Sequence, residues 1–199
     1  MKKSSMNIPN ILSLIRVCLV PAFVVSLIYM RNIEIWGFIV PALIYILTGL
    51  TDMLDGKIAR KYNLVTDFGK FIDPLADKFM VLSSMISILV WMLLLGKTTL
   101  ALVFVWVVLV ILLRELGVTS LRLVVANKSG IVVAASMLGK IKTVSQMVGT
   151  VVIIIEPIIP YFKDNNILSY VFMGIMAFTT LFSGIDYLKA YLPHIDSNK

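Results

Sequence analysis

An all-α integral membrane protein of about six transmembrane helices is the fold class that this sequence predicts, on three observations. Hydrophobic residues make up 59% of the chain and charged residues only 15%, with a mean hydropathy of +0.97, a balance that a water-soluble domain does not tolerate. The apolar residues fall into long runs without the alternation of barrel strands, so each must satisfy its own backbone as a helix across roughly 20 residues of hydrocarbon. The basic residues divide by side: of 18 lysines and arginines, Arg16 lies in the first run, and only Arg31, Lys97 and Lys163 fall opposite the rest. By the positive-inside rule both termini are cytoplasmic and the number of spans is even.

The elements follow in order. Ile11–Met30 carries Arg16, is too long for a secretory signal and lacks a small-residue cleavage pattern, so it reads as a retained span. Ile35–Leu50 stops where an acidic segment begins, and Ile72–Leu95 leaves that segment and ends at Gly96-Lys97. Thr98–Leu113 runs up to Arg114-Glu115, Ile141–Ile159 follows Lys140, and Ile167–Leu188 is closed by Lys189. Trp36 and Trp91 read as interface anchors, the methionines as packing or lipid-facing residues, and Glu156 and Asp186 as interfacial groups at span ends. No repeat or Pro/Gly linker divides the chain, so residues 1–199 form a single membrane-embedded catalytic domain with short cytoplasmic ends. The net charge of +7 is a basic cytoplasmic face for anionic headgroups and does not call for nucleic acid. Cys18 is the only cysteine, which excludes an internal disulfide and a cysteine zinc site.

The chemistry concentrates in Thr51–Lys78, which joins the cytoplasmic ends of the second and third spans and holds five of the eleven acidic residues. On a helix continuing the second span, Asp52, Asp55 and Ala59 share a face with Gly56 beside them. On the helix entering the third span, Gly69, Asp73 and Asp77 form a stripe at intervals of four, and Pro74 between them fits a helix that has just begun or kinks. A solvated loop of ordinary salt bridges to Lys57, Arg60, Lys70 and Lys78 is the bland account. Carboxylates this close to hydrocarbon need partners, however, and four of them repel one another. Hard divalent cations neutralise such an all-oxygen set, which makes magnesium or manganese the expected occupant, with two ions clamping a phosphate or diphosphate. Gly56 and Ala59 leave room for a ligand against the helix, and Arg60 is placed to pair with phosphate.

The pattern Asp52-x2-Asp55-Gly56-x2-Ala59-Arg60-x8-Gly69-x3-Asp73-x3-Asp77 resembles the complete signature of the CDP-alcohol phosphotransferases. The resemblance implies a six-helix bundle, often dimeric, that displaces CMP from a CDP-linked substrate with an alcohol and uses two divalent metals. It makes Asp52, Asp55, Asp73 and Asp77 metal ligands and Asp77 the candidate base as well. Asp55, Gly56, Ala59 and Arg60 would line the CDP site.

Three further segments, Asn7–Arg16 (NIPNILSLIR), Leu113–Arg122 (LRELGVTSLR) and Gly139–Gln146 (GKIKTVSQ), resemble the phosphatidylglycerophosphate-forming branch of that family, with Ser13 where threonine is more usual. The expected reaction transfers the phosphatidyl group of CDP-diacylglycerol to sn-glycerol 3-phosphate at the plasma membrane. Arg114, Arg122, Lys140 and Lys142 are the basic residues expected to gather the acceptor phosphate, arginine through paired hydrogen bonds and lysine as a mobile point charge. Asn10 is expected to reach the nucleotide; Arg16 either reaches the site or snorkels to the interface. Glu115 orients Arg114 only if geometry allows, since adjacent helical residues do not face each other, and a partner elsewhere is expected.

Rival acceptors are inositol, inositol phosphate, serine and phosphatidylglycerol, and a neutral one leaves the cations without their partner. A phospholipase-D-like mechanism needs paired His-Lys-Asp motifs, whereas His194 is the single histidine and reads as a solvated tail residue. Aspartate-rich membrane prenyltransferases lack the Gly56/Ala59/Arg60 arrangement. A divalent-cation transporter would need polar partners across the midplane, where the other spans offer few.

Overall fold

The computed structural model describes residues 7–61, 66–129, 137–162 and 164–195, with the side chains of residues 8, 53–61, 67, 70, 126–129 and 192–195 outside that description. Among the described residues there are six α-helices, α1 (Ile8–Tyr29), α2 (Trp36–Lys61), α3 (Asp67–Leu94), α4 (Thr98–Ser129), α5 (Met137–Ile155) and α6 (Ile167–Ile195). No strand occurs among the described residues. Five of the helices contain segments long and apolar enough to cross a membrane, and α2 adds a shorter apolar stretch, Trp36–Asp52. This is a multi-pass membrane protein.

Local chemistry sets the helix ends. The Asn7 side chain accepts the Asn10 N–H at 3.1 Å to cap α1, and the Thr66 hydroxyl accepts the Gly69 N–H at 3.0 Å to cap α3. Gly96, at φ +74°, supplies the left-handed residue that turns α3 into α4. Pro21, Pro41 and Pro74 lie inside helices, as membrane spans tolerate.

α1 packs on α2 and α3, α6 packs on α4 and α5, and contacts of α3 with α4 and of α2 with α5 join the two groups. The main core includes Phe23, Leu27, Met85, Ile88, Trp91, Phe104, Ile111, Ile154 and Met176. Leu47, Trp106, Leu113 and Phe178 lie on the outside, where an aqueous surface would carry charge; lipid is the solvent for this face.

Three expectations are corrected. Trp91 is no interface anchor: it is 1% exposed and meets the Phe38 ring edge-on at 6.1 Å. Helix α3 starts at Asp67 and runs through Pro74, so of the two expected alternatives a helix only just begun does not hold. Helix α4 does not stop at Leu113. It continues to Ser129 because Glu115, Val118 and Val125 extend its buried stripe, the two valines packing with Tyr187 and Tyr191 of α6 in a second core.

Candidate active site

Helix α1 turns a polar face inward. Asn10, Ser13 and Arg16 recur at three-residue spacing and are all essentially buried. The Asn10 amide donates to the Thr66 hydroxyl at 2.8 Å, tying the start of α1 to the start of α3. A Cβ on Gly69 would sit 2.7 Å from Asn10 Oδ1 and 3.2 Å from the Thr66 hydroxyl, so a larger residue there would have to push the Asn10 amide out of place. One turn on, the Ser13 hydroxyl donates to Asp73 Oδ1 at 2.5 Å. Arg16, fully buried, pairs through Nη1 with Asp52 Oδ1 at 2.8 Å and therefore does not snorkel.

Asp52, Asp73 and Asp77 thus come from α2 and α3, with the first two braced by α1. The Asp52 and Asp77 side chains are 42% and 44% exposed, open enough to take a ligand while their helices hold them in place. Among the described residues no three carboxylates, histidines or cysteines converge into a metal cage. The side chain of the fourth aspartate, Asp55, lies outside the described residues, as do those of Gly56, Ala59 and Arg60. The donor set itself, hard oxygens with one oxygen of Asp73 already fixed by a hydroxyl, suits a hard divalent ion.

Beside the carboxylates stands a buried cluster of opposite sign. Glu115, 3% exposed, accepts from Lys142 and from Arg114 Nη1 (3.2 Å) on Oε1, and from Lys78 on Oε2. The expected second partner of Glu115 is therefore two lysines, and the neighbouring Arg114 joins them. Arg114 is braced in turn by the Ser183 hydroxyl at 2.7 Å and lies 5.1 Å from the Tyr187 ring centre. Arg122 reaches the same tyrosine, at 3.4 Å from its hydroxyl, and so lines up behind Arg114. Lys78 also stands 3.7 Å from Asp77, which joins the cationic cluster to the carboxylates. Below the cluster, α5 and α6 are stitched by Ser145 to Thr179 at 2.7 Å and Gln146 to Thr180 at 3.2 Å.

Of the predicted acceptor residues, the structure gathers Arg114 and Lys142 directly and Arg122 through Tyr187; Lys140 is exposed on α5. The sequence reading missed Ser13, Lys78, Ser183 and Tyr187 as site residues. A signal existed for each α1 and α6 residue: polar groups spaced three or four apart in otherwise apolar helices. Lys78 gave none beyond its place next to Asp77.

The sequence is similar to known proteins along most of its length. It is 36% identical over 192 residues to a CDP-diacylglycerol–glycerol-3-phosphate 3-phosphatidyltransferase of Bacillus subtilis (strain 168), covering 92% of this chain and 94% of the relative. A probable phosphatidylglycerophosphate synthase of Mycobacterium tuberculosis (strain ATCC 25618 / H37Rv) is 34% identical over 189 residues, 95% of this chain and 83% of the relative. A CDP-diacylglycerol–glycerol-3-phosphate 3-phosphatidyltransferase of Yersinia enterocolitica is 34% identical over 194 residues, 93% of this chain and 94% of the relative. The sequence model for CDP-alcohol phosphatidyltransferase matches residues 6–182, and the chain belongs to the CDP-alcohol phosphatidyltransferase family.

Proposed function

We propose that this protein transfers the phosphatidyl group from CDP-diacylglycerol to sn-glycerol 3-phosphate, forming phosphatidylglycerophosphate and CMP. The observation that carries the acceptor choice is the gathering of Lys78, Lys142 and Arg114 on one buried carboxylate next to Asp77. The names of the relatives point to the same reaction.

Two divalent ions, magnesium or manganese, held by Asp52, Asp55, Asp73 and Asp77, would supply charge neutralisation at the diphosphate. The chain's own residues do the rest. Ser13 and Arg16 fix the directions of Asp73 and Asp52 from the buried side. Asp77 takes the proton from the acceptor's primary hydroxyl as that oxygen bonds to the β-phosphorus. The bond from this phosphorus to the bridging oxygen breaks, and its electrons leave with CMP. The cationic cluster holds the acceptor's phosphate while the lipid tails stay in the bilayer, so binding supplies orientation as well as affinity.

The active site belongs on the cytoplasmic side of the plasma membrane, because the α2–α3 connection beside it carries the dense basic sequence. A homodimer is part of the same proposal, resting on the family resemblance. The test is CMP release by purified protein with CDP-diacylglycerol, magnesium and a panel of glycerol 3-phosphate, glycerol, inositol, inositol phosphate, serine and phosphatidylglycerol. Release only with glycerol 3-phosphate, abolished by a chelator, is expected. Release with a neutral acceptor instead would remove the proposed role of the cations.

A further inference from the structure

We infer that Glu115 is a positioning residue that arranges Lys78, Lys142 and Arg114 for the acceptor phosphate and sets the pocket's selectivity for a doubly charged phosphomonoester. This rests on the proposed reaction and assigns a part to a residue that the reaction itself does not use.

The placement is specific. Glu115 sits on α4 between Lys78 of α3 and Lys142 of α5, and it engages both with separate carboxylate oxygens while Arg114 shares Oε1. Through Arg114 and Ser183 the arrangement extends to α6, so the cluster joins four helices. Both Glu115 and Lys142 are buried, at 3% and 4% exposure, and neither has the solvent access that makes surface ion pairs weak.

The charge count gives the chemistry. Three cations surround one carboxylate, and Asp77 stands at the exposed margin, 3.7 Å from Lys78. Against Glu115 alone two positive charges are left over, one of them on Lys78 facing Asp77 at 3.7 Å, and a phosphomonoester dianion supplies matching negative charge. A neutral polyol leaves them uncompensated in a poorly solvated place, which is costly. The carboxylate also holds two ammonium groups close together that would otherwise repel each other out of register. A phosphate entering such a site meets donors already aimed, with little rearrangement to make.

A positioning residue differs from a purely structural strut in its kinetics. The experiment is CMP release by the full-length wild type, Glu115→Gln and Glu115→Asp, varying glycerol 3-phosphate at saturating CDP-diacylglycerol and the reverse, with thermal unfolding of each sample alongside. Glu115→Gln is expected to raise the KM for glycerol 3-phosphate about tenfold while the KM for CDP-diacylglycerol moves less than about twofold. Glu115→Asp, which keeps the charge on a shorter arm, is expected to recover part of that loss and remains informative if the glutamine variant does not fold. An unchanged or lowered glycerol 3-phosphate KM in either folded variant overturns the inference. So does a fall in kcat that tracks the unfolding midpoint with both KM values unmoved. Wild-type protein that is inactive with glycerol 3-phosphate overturns the proposed reaction, and this inference with it; active wild type with insensitive variants overturns the inference alone.

Discussion

Two buried glutamates, at opposite ends of the bundle, are satisfied in opposite ways. Glu115 is surrounded by side-chain cations, whereas Glu156, fully buried after α5, accepts the backbone N–H groups of Leu168 (2.7 Å) and Ser169 (2.9 Å) and the Ser169 hydroxyl. The second carboxylate closes the amino end of α6, where unpaired amides and the helix dipole favour a negative charge. Two of its three donors are main-chain amides that cannot leave, so the arrangement is a joint. The partners of Glu115 are three side-chain cations whose charge exceeds its own, so that arrangement is fit for an anion site. Burial alone does not distinguish structure from function; the charge of the partners does.

The comparison breaks most sharply at the active end. Asp77→Asn is expected to lower kcat about a thousandfold while shifting the thermal unfolding midpoint little, since this half-exposed side chain is the proposed base and contributes little packing. Equal loss of rate and stability would show that end to be a joint as well. Metal binding measured on the same sample separates a lost base from a lost ligand. At the other end, Glu156→Ala should cost about 3 kcal/mol of stability by stranding the buried donors of α6, with both KM values unchanged.

Smaller effects sharpen the contrast. Ser13→Ala removes one hydroxyl donor from Asp73, an interaction worth about 1.5 kcal/mol, so a roughly tenfold fall in kcat/KM is expected in steady-state assays. Asn166 sits at φ +50° and its Oδ1 accepts from Lys97 at 2.5 Å, linking the α5–α6 and α3–α4 turns. Asn166→Ala should lose about 1 kcal/mol through the backbone alone, and Asn166→Gly less, as read by thermal unfolding. Burial holds the Lys97 ammonium below its ordinary 10.5, against the opposing pull of Glu156 and Asp164. A lowered folded-state value means that the folded protein binds this proton less readily than the unfolded chain. Stability from this group is therefore fully present above 10.5 and lost as pH falls through the lowered folded value. Lys97→Met should flatten that alkaline limb of the unfolding midpoint against pH, and an unchanged limb would assign it to another group.

Much of this was legible because the relevant signals are local. Apolar runs marked the spans, and the spacing of Asp52, Asp73 and Asp77 placed their carboxylates on helix faces because a helical repeat needs no tertiary knowledge. The same locality misled at Trp91. A tryptophan near a span end is an anchor by composition, but Phe38 of another helix covers it. Leu113 likewise looked like an end because two charges follow it. Whether Arg114 and Glu115 terminate a helix or sit inside the bundle depends on partners lying 27 and 37 residues from Glu115.

By itself, then, the sequence determined an all-helical membrane chain and the carboxylate motif of its family, since hydropathy and helical periodicity act through residues near one another in the chain. Only the tertiary structure decided that Ser13 and Arg16 brace the aspartates, that Glu115 gathers three cations, and that Glu156 locks α6. Each of these turns on which charges meet across helices once water is excluded, and that is a property of packing.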